Sequence, residues 1–208
     1  TNSYRGYSAY FGNSNQKIYS GVNNTLNFEK SDFQISMDVK QTEQRQYATL
    51  LCSNSTSTTD GAYVGLYSNG STNTLAFGVN GGLQTSTQNI VLPNNYYNIQ
   101  LNRNGGTIFT RINDVLSASL NFSENVNYNH NNGTQLGHGW ANTYNTNKYV
   151  GYLDNFKSFK NYTNSSSIDR PAIDLPLETN EINLGYSGLT VNKVGSPTYN
   201  TIDGKKCI

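Results

Sequence analysis

Tyr96-Tyr97-Asn98-Ile99-Gln100-Leu101-Asn102, turned by Arg103-Asn104-Gly105-Gly106, returns as Thr107-Ile108-Phe109-Thr110-Arg111-Ile112, turns at Asn113-Asp114 and leaves through residues 115–122. Its apolar residues alternate with polar ones, the period of a strand that buries one face. The breaks fall at Asn-Gly and Asn-Asp, and those residues tolerate the left-handed backbone that a two-residue hairpin demands. The stretch therefore predicts a three-stranded antiparallel meander.

The same signal spreads outward. Phe33, Ile35, Met37 and Val39 alternate with Gln34, Ser36, Asp38 and Lys40. Residues 47–52 form a second run, followed by a Ser/Thr/Asn loop that reaches Asp60-Gly61. Ala62, Val64 and Leu66 alternate into Ser68-Asn69-Gly70, and Leu75, Phe77 and Val79 run up to Asn80-Gly81-Gly82. A polar stretch over residues 123–133 leads to Gln135-Leu136-Gly137, and a second loop, 138–148, precedes a last strand over 149–159. Leu153 and Phe156 fall out of phase in it, which predicts a bulge or a strand edge at Asp154-Asn155. No segment sustains a helical period. Phe33, Ile35, Met37, Val39, Ile99, Leu101 and Phe156 are the expected core.

Composition agrees. The 208 residues include 33 Asn, 21 Ser, 21 Thr, 16 Tyr and 19 Gly. Helix formers are scarce, whereas Tyr, Thr, Ile and Val suit pleated, half-buried surfaces. Such polarity also marks disorder, but disordered chains lack aromatics, and this one carries 12%. A net charge of +1 with 13% charged residues offers no field to hold a nucleic-acid backbone. No apolar run approaches the roughly 18 residues of a membrane helix, so neither nucleic acid nor membrane is expected as a partner. The chain opens Thr1-Asn2-Ser3 with no basic-then-apolar leader, and its one methionine is Met37, which reads as a cut-out or a processed fragment. Cys52 and Cys207 are read either as a bridge closing a loop of about 155 residues or as two separate thiols. The seven Asn-x-Ser/Thr sequons match what this Asn, Ser and Thr content gives by chance, and carry no evidence of glycosylation.

The order of these motifs resembles a laminin G-like domain of the concanavalin A-like lectin/glucanase superfamily, over roughly residues 7–162. Ser8-Ala9-Tyr10-Phe11-Gly12 with Lys17-Ile18 is similar to the opening element, and Asp32-Phe33-Gln34-Ile35-Ser36-Met37-Asp38-Val39 to an early strand. Residues 96–116 resemble the family's meander, Gln135-Leu136-Gly137 a short conserved-pattern strand, and residues 151–159 the closing one. The resemblance implies an all-β, antiparallel jelly-roll β-sandwich over residues 1–165. The tail, 166–208, resembles the first strands of such a domain: Leu175-Pro176-Leu177-Glu178, Tyr186-Ser187-Gly188-Leu189, Gly195-Ser196-Pro197 and Ile202-Asp203-Gly204. It either completes the same sandwich or begins the next repeat.

The superfamily includes glucanases, whose Glu-x-Asp-x-Glu triplet aligns carboxylates on one strand face. No such triplet occurs here and no nucleophile–base set converges, so the chain is not expected to be an enzyme. The resemblance also implies a possible Ca2+ at the sandwich rim, with Asp60 and Asp154 as candidate oxygen ligands. For Asp154 the plainer role is to hold a turn or bulge by side-chain hydrogen bonds. The lone tryptophan, Trp140, lies in a loop of glycine and polar residues beside His138, Asn142 and Tyr144. Sugars present C–H faces to aromatic rings and hydroxyls to polar side chains, so these four are the candidate ligand-binding residues. A Trp140 folded back over the sandwich edge is the plainer alternative.

The function expected is a non-catalytic carbohydrate-binding or adhesion module. Its partners would be cell-surface glycans or polysaccharide, and its location extracellular or on a virion surface, as in a bacteriophage fibre or decoration protein. Homo-oligomers or a larger virion assembly fit that picture. A purely structural virion module and a secreted bacterial adhesin or binding domain appended to an enzyme are the alternatives.

Overall fold

The computed structural model describes residues 8–12, 16–20, 26–53, 62–68, 73–79, 82–85, 93–128, 133–138, 148–161, 173–175 and 191–194. The meander forms where the turn chemistry places it: β9 (Tyr97–Asn104), β10 (Thr107–Ile112) and β11 (Val115–Asn121). Asn113 and Asp114 take φ of 49° and 67°, and Gly105 and Gly106 take 56° and 85°, so both hairpins turn through two consecutive left-handed residues.

β9 pairs with β4 (Phe33–Gln41), β4 with β14 (Gly151–Lys160), and β14 with β1 (Ala9–Phe11), giving a sheet ordered β1-β14-β4-β9-β10-β11. A further strand, β15 (Ile173–Leu175), also pairs with β14. The facing sheet runs β16 (Val191–Val194), β2 (Lys17–Ser20), β13 (Thr134–Leu136), β5 (Tyr47–Ser53), β6 (Ala62–Ser68), β7 (Asn73–Val79) and β8 (Gly82–Thr85). A small third sheet joins β3 (Asn27–Glu29) to β12 (Val126–Asn127). Every ladder is antiparallel, and among the described residues there is no helix.

Strand alternation decides what fills the core. All seven expected core residues are buried, Phe33, Ile35 and Val39 completely. From β3, Phe28 stacks on Phe33 with centroids 4.3 Å apart and meets the Tyr128 ring edge-on at 6.3 Å. Buried Arg103 donates from one guanidinium nitrogen to the Glu29 and Glu124 carbonyls, both at 2.9 Å, and so ties the small sheet to β9. Sequence patterning misses β3, β8 and β12, because two to four residues cannot display a period.

Two bulges matter. In β5 the register shifts between Thr49 and Leu51, and the consecutive Leu50 and Leu51 both enter the core. In β14 it shifts between Asp154 and Lys157, with Asn155 left-handed at φ 49°, the irregularity anticipated there. Gly151 and Gly137 mark two close approaches. A Cβ on Gly151 would lie 2.2 Å from the Lys40 carbonyl oxygen, and one on Gly137 2.3 Å from the Phe11 ring. Cys52 is a free, buried thiol.

Candidate functional site

The phase of each strand that does not enter the core faces outward, and the two sheets treat that phase differently. On the second sheet, Cys52, Tyr63 and Ala76 form a small buried cluster separate from the main core. Gln135 is buried with them and donates from Nε2 to the Cys52 sulfur at 3.4 Å. Burial pushes the Cys52 thiol up to about 12, despite the Gln135 hydrogen bond and the charge of Lys17. Burial likewise raises the Tyr63 hydroxyl. This face is not open to a ligand at those positions.

The outward phase of the first sheet is half-exposed over most of its width, with Asn102 buried. Its register lines side chains into rungs. Tyr10 of β1 sits opposite Tyr152 of β14, which sits opposite Lys40 of β4. The Tyr10 and Tyr152 rings are 4.9 Å apart at 45°, and Lys40 Nζ lies 5.2 Å from the Tyr96 ring centroid and 5.9 Å from that of Tyr152. The next rung is polar. Asp38 accepts from Asn98 Nδ2 on one carboxylate oxygen and from Asn155 Nδ2 on the other, each at 2.7 Å. Gln100 Nε2 donates to Asn98 Oδ1 at 3.0 Å and to Asp114 Oδ1 at 2.8 Å, extending the network to the hairpin turn. A third rung runs Lys157, Ser36, Gln100, Arg111, Leu116, and a fourth Phe159, Gln34, Asn102, Phe109, Ser119. The Arg111 guanidinium lies 4.6 Å from the Phe109 ring centroid. Six residues separate Lys40 from Gln34, so the face is about 20 Å long.

Asp38 and Asp154 are cross-strand partners, the one place where two carboxylates meet in register among the described residues. Both Asp38 oxygens are held by amides, and Asp154 is 1% exposed with Oδ1 accepting the Asn155 backbone N–H at 2.7 Å. Asp154 therefore holds the bulge from a buried position. No three His, Cys, Asp or Glu side chains gather among the described residues. Asp60, the other calcium candidate, lies outside them.

Of the four loop candidates, Trp140, Asn142 and Tyr144 also lie outside the described residues. His138 is half-buried, and its carbonyl accepts from the Cys52 thiol at 3.3 Å. The base of their loop is closed by the Tyr149 N–H on the Gly137 carbonyl at 3.1 Å. The buried Tyr149 hydroxyl donates to the Tyr152 carbonyl at 2.7 Å, so the base abuts the Tyr10–Tyr152–Lys40 rung. Sequence reasoning missed Tyr10, Lys40, Tyr96, Asn98 and Tyr152 as site residues. Alternation shows which of them face outward, but only the inter-strand register brings them together.

No family model and no curated protein sequence matches the chain. Solved structures do match in fold. A Bacteroides ovatus protein whose name assigns it to carbohydrate binding superposes with a TM-score of 0.68 at 13% identity, over 92% of this chain and 61% of its own. The chain thus spans about three fifths of that protein's length. A heptameric SAP-like pentraxin from Limulus polyphemus gives 0.57 at 11% identity, over 88% and 93%. The CBM40 module of the Ruminococcus gnavus IT-sialidase, bound to α2,3-sialyllactose, gives 0.52 at 11% identity, over 77% and 92%. At these identities the likeness is one of fold: the chain is an antiparallel jelly-roll β-sandwich like those structures.

Proposed function

We propose that the chain is a non-catalytic carbohydrate-binding module that takes its glycan on the open face of the first sheet, at the end where Tyr10, Tyr152, Lys40 and Tyr96 meet. The observation that carries this reading is the juxtaposition of half-exposed tyrosines with the Asp38–Asn98–Asn155–Gln100 network. A sugar ring needs an aromatic surface for its C–H face and fixed acceptors and donors for its hydroxyls. The network positions its own side chains by mutual hydrogen bonds, so little ordering cost falls on binding. The described ends of the loop that carries Trp140, Asn142 and Tyr144, at Gly137 and Tyr149, lie beside the same rung, so these three residues remain candidates for the site. The named carbohydrate binders among the structural neighbours support the reading.

Few stacking and hydrogen-bonding contacts make a weak site, about millimolar to high micromolar. Useful attachment then comes from many copies, as on an extracellular or virion surface, where avidity multiplies affinity. Sparse charge and richness in Asn, Ser, Thr, Tyr and Gly suit such a setting.

The test is a glycan and host-cell screen with a multivalent display of wild type, Tyr152→Ala and Trp140→Ala, each checked for unchanged secondary structure. Binding by wild type that Tyr152→Ala loses supports the open face. Loss in Trp140→Ala as well adds the loop to the site. A wild-type display that binds no glycan and no cell surface contradicts the proposal and leaves a structural module.

A further inference from the structure

Lys40 stands out among the cations of the open face. Its ammonium is bracketed by the Tyr96 and Tyr152 rings at 5.2 and 5.9 Å. Among the described residues no carboxylate lies within ion-pair distance of Lys40. The nearest acidic residue in its own strand on the same face is Asp38, whose two oxygens are already taken by Asn98 and Asn155. Ring faces attract a cation but leave its N–H donors unused. The result is a positioned, half-exposed ammonium with donors to spare, flanked by the rings on which a sugar would stack. Tyr149, buried behind it with its hydroxyl on the Tyr152 carbonyl, fixes the backbone that carries this rung.

We infer that the ligand of this face is an acidic glycan, whose oxyanion pairs with Lys40 while its ring lies on Tyr152 or Tyr96. The inference rests on the carbohydrate-binding reading and names its substrate class. A lysine ammonium is a compact point charge, without the bidentate preference of a guanidinium. A carboxylate of a uronic-type sugar and a sulfate ester therefore share the required chemistry. The neighbouring polar rung is suited to the rest of such a ligand. Asp114 and the Asn155 side-chain carbonyl offer acceptors to hydroxyl donors, and the only full positive charge of the rung pair is left for the anion.

The experiment uses three immobilised oligosaccharides of one backbone: a uronic acid form, its carboxyl-reduced neutral counterpart, and a sulfated neutral form. Wild type, Lys40→Met and Lys40→Arg are titrated against each at low and at moderate salt. Wild type is expected to bind the uronic acid form at least about tenfold more tightly than the reduced form, as a hydrogen bond to a charged group warrants. That ratio should shrink with salt. Lys40→Met should bring it close to one, and Lys40→Arg should restore much of it. Equal preference for the uronic and sulfated forms assigns the site to either oxyanion, whereas rejection of one assigns it to the other. Equal binding of acidic and neutral forms by wild type, or a preference that survives Lys40→Met, overturns the inference while the carbohydrate-binding reading stands. Binding of none of the three, together with an empty glycan screen, overturns both.

Discussion

Cys52 shows how a single position reports on the face it occupies. Its thiol is fully buried on the second sheet and pushed up to about 12, against an ordinary value of 9.0. An unfolded chain releases this proton near pH 9, whereas the folded chain keeps it. The unfolded state thus binds fewer protons between those values, and stability that is complete below pH 9 drains away as pH rises toward 12. Each pH unit in that window removes at most about 1.4 kcal/mol. The buried Tyr63, Tyr128 and Tyr149 hydroxyls, raised in the same way by burial, add to the loss above pH 10. Denaturant midpoints at pH 7, 9 and 10 should fall for the wild type, and the fall from 9 to 10 should be shallower in Cys52→Ala. An identical slope in the variant would mean that this thiol is reached by water.

Among the elements, β14 joins core, bulge and site. Asn155 takes φ 49°, and its side chain bridges to Asp38 while its backbone N–H binds Asp154. It thereby separates two carboxylates that the register places opposite each other, where like charges would repel. Asn155→Ala should cost about 2–3 kcal/mol, from the left-handed strain and the lost hydrogen bond. Asn155→Gly should recover about 1 kcal/mol of that by removing the strain alone. Equal losses for the two variants in equilibrium denaturation would contradict a conformational role.

The same strand shows what was legible beforehand. Leu153 and Phe156 out of phase announce a bulge, because two core residues three apart cannot both face inward on a regular strand. Phe33 to Val39 and the Asn113-Asp114 turn are equally plain, since period and left-handed tolerance are local properties. The pairing of Lys40 with Tyr152, and of Tyr152 with Tyr10, is not local. It depends on which strands become neighbours after the chain crosses between sheets. The single tryptophan drew attention to residues 137–149, while the sixteen tyrosines, individually unremarkable in so Tyr-rich a chain, hid the rung beside it.

At the scale of the whole molecule, the edge beside the site is shared by distant parts of the chain. β1 covers residues 151–153 of β14 and β15 covers 156–158, while β16 lies against β2 in the other sheet. The tail's strands therefore shield edges that would otherwise offer free backbone N–H and C=O groups to another molecule. Truncation after Ser166 should lower stability and promote self-association, read by denaturation and by size-exclusion chromatography. A truncated chain that remains monomeric and equally stable would show that residues 167–208 are dispensable to this sandwich.

The central claim is that the outward face of the first sheet is the binding face. It is tested most directly by mapping backbone amide shifts in isotope-labelled protein titrated with a glycan recovered from the multivalent screen, since fast exchange suits so weak a site. The expected result is a contiguous set of shifts at Tyr10, Lys40, Tyr96, Asn98, Tyr152 and Asn155, saturating at a common dissociation constant. Shifts confined to the second sheet, around Tyr47, Tyr63 and Tyr67, would contradict it.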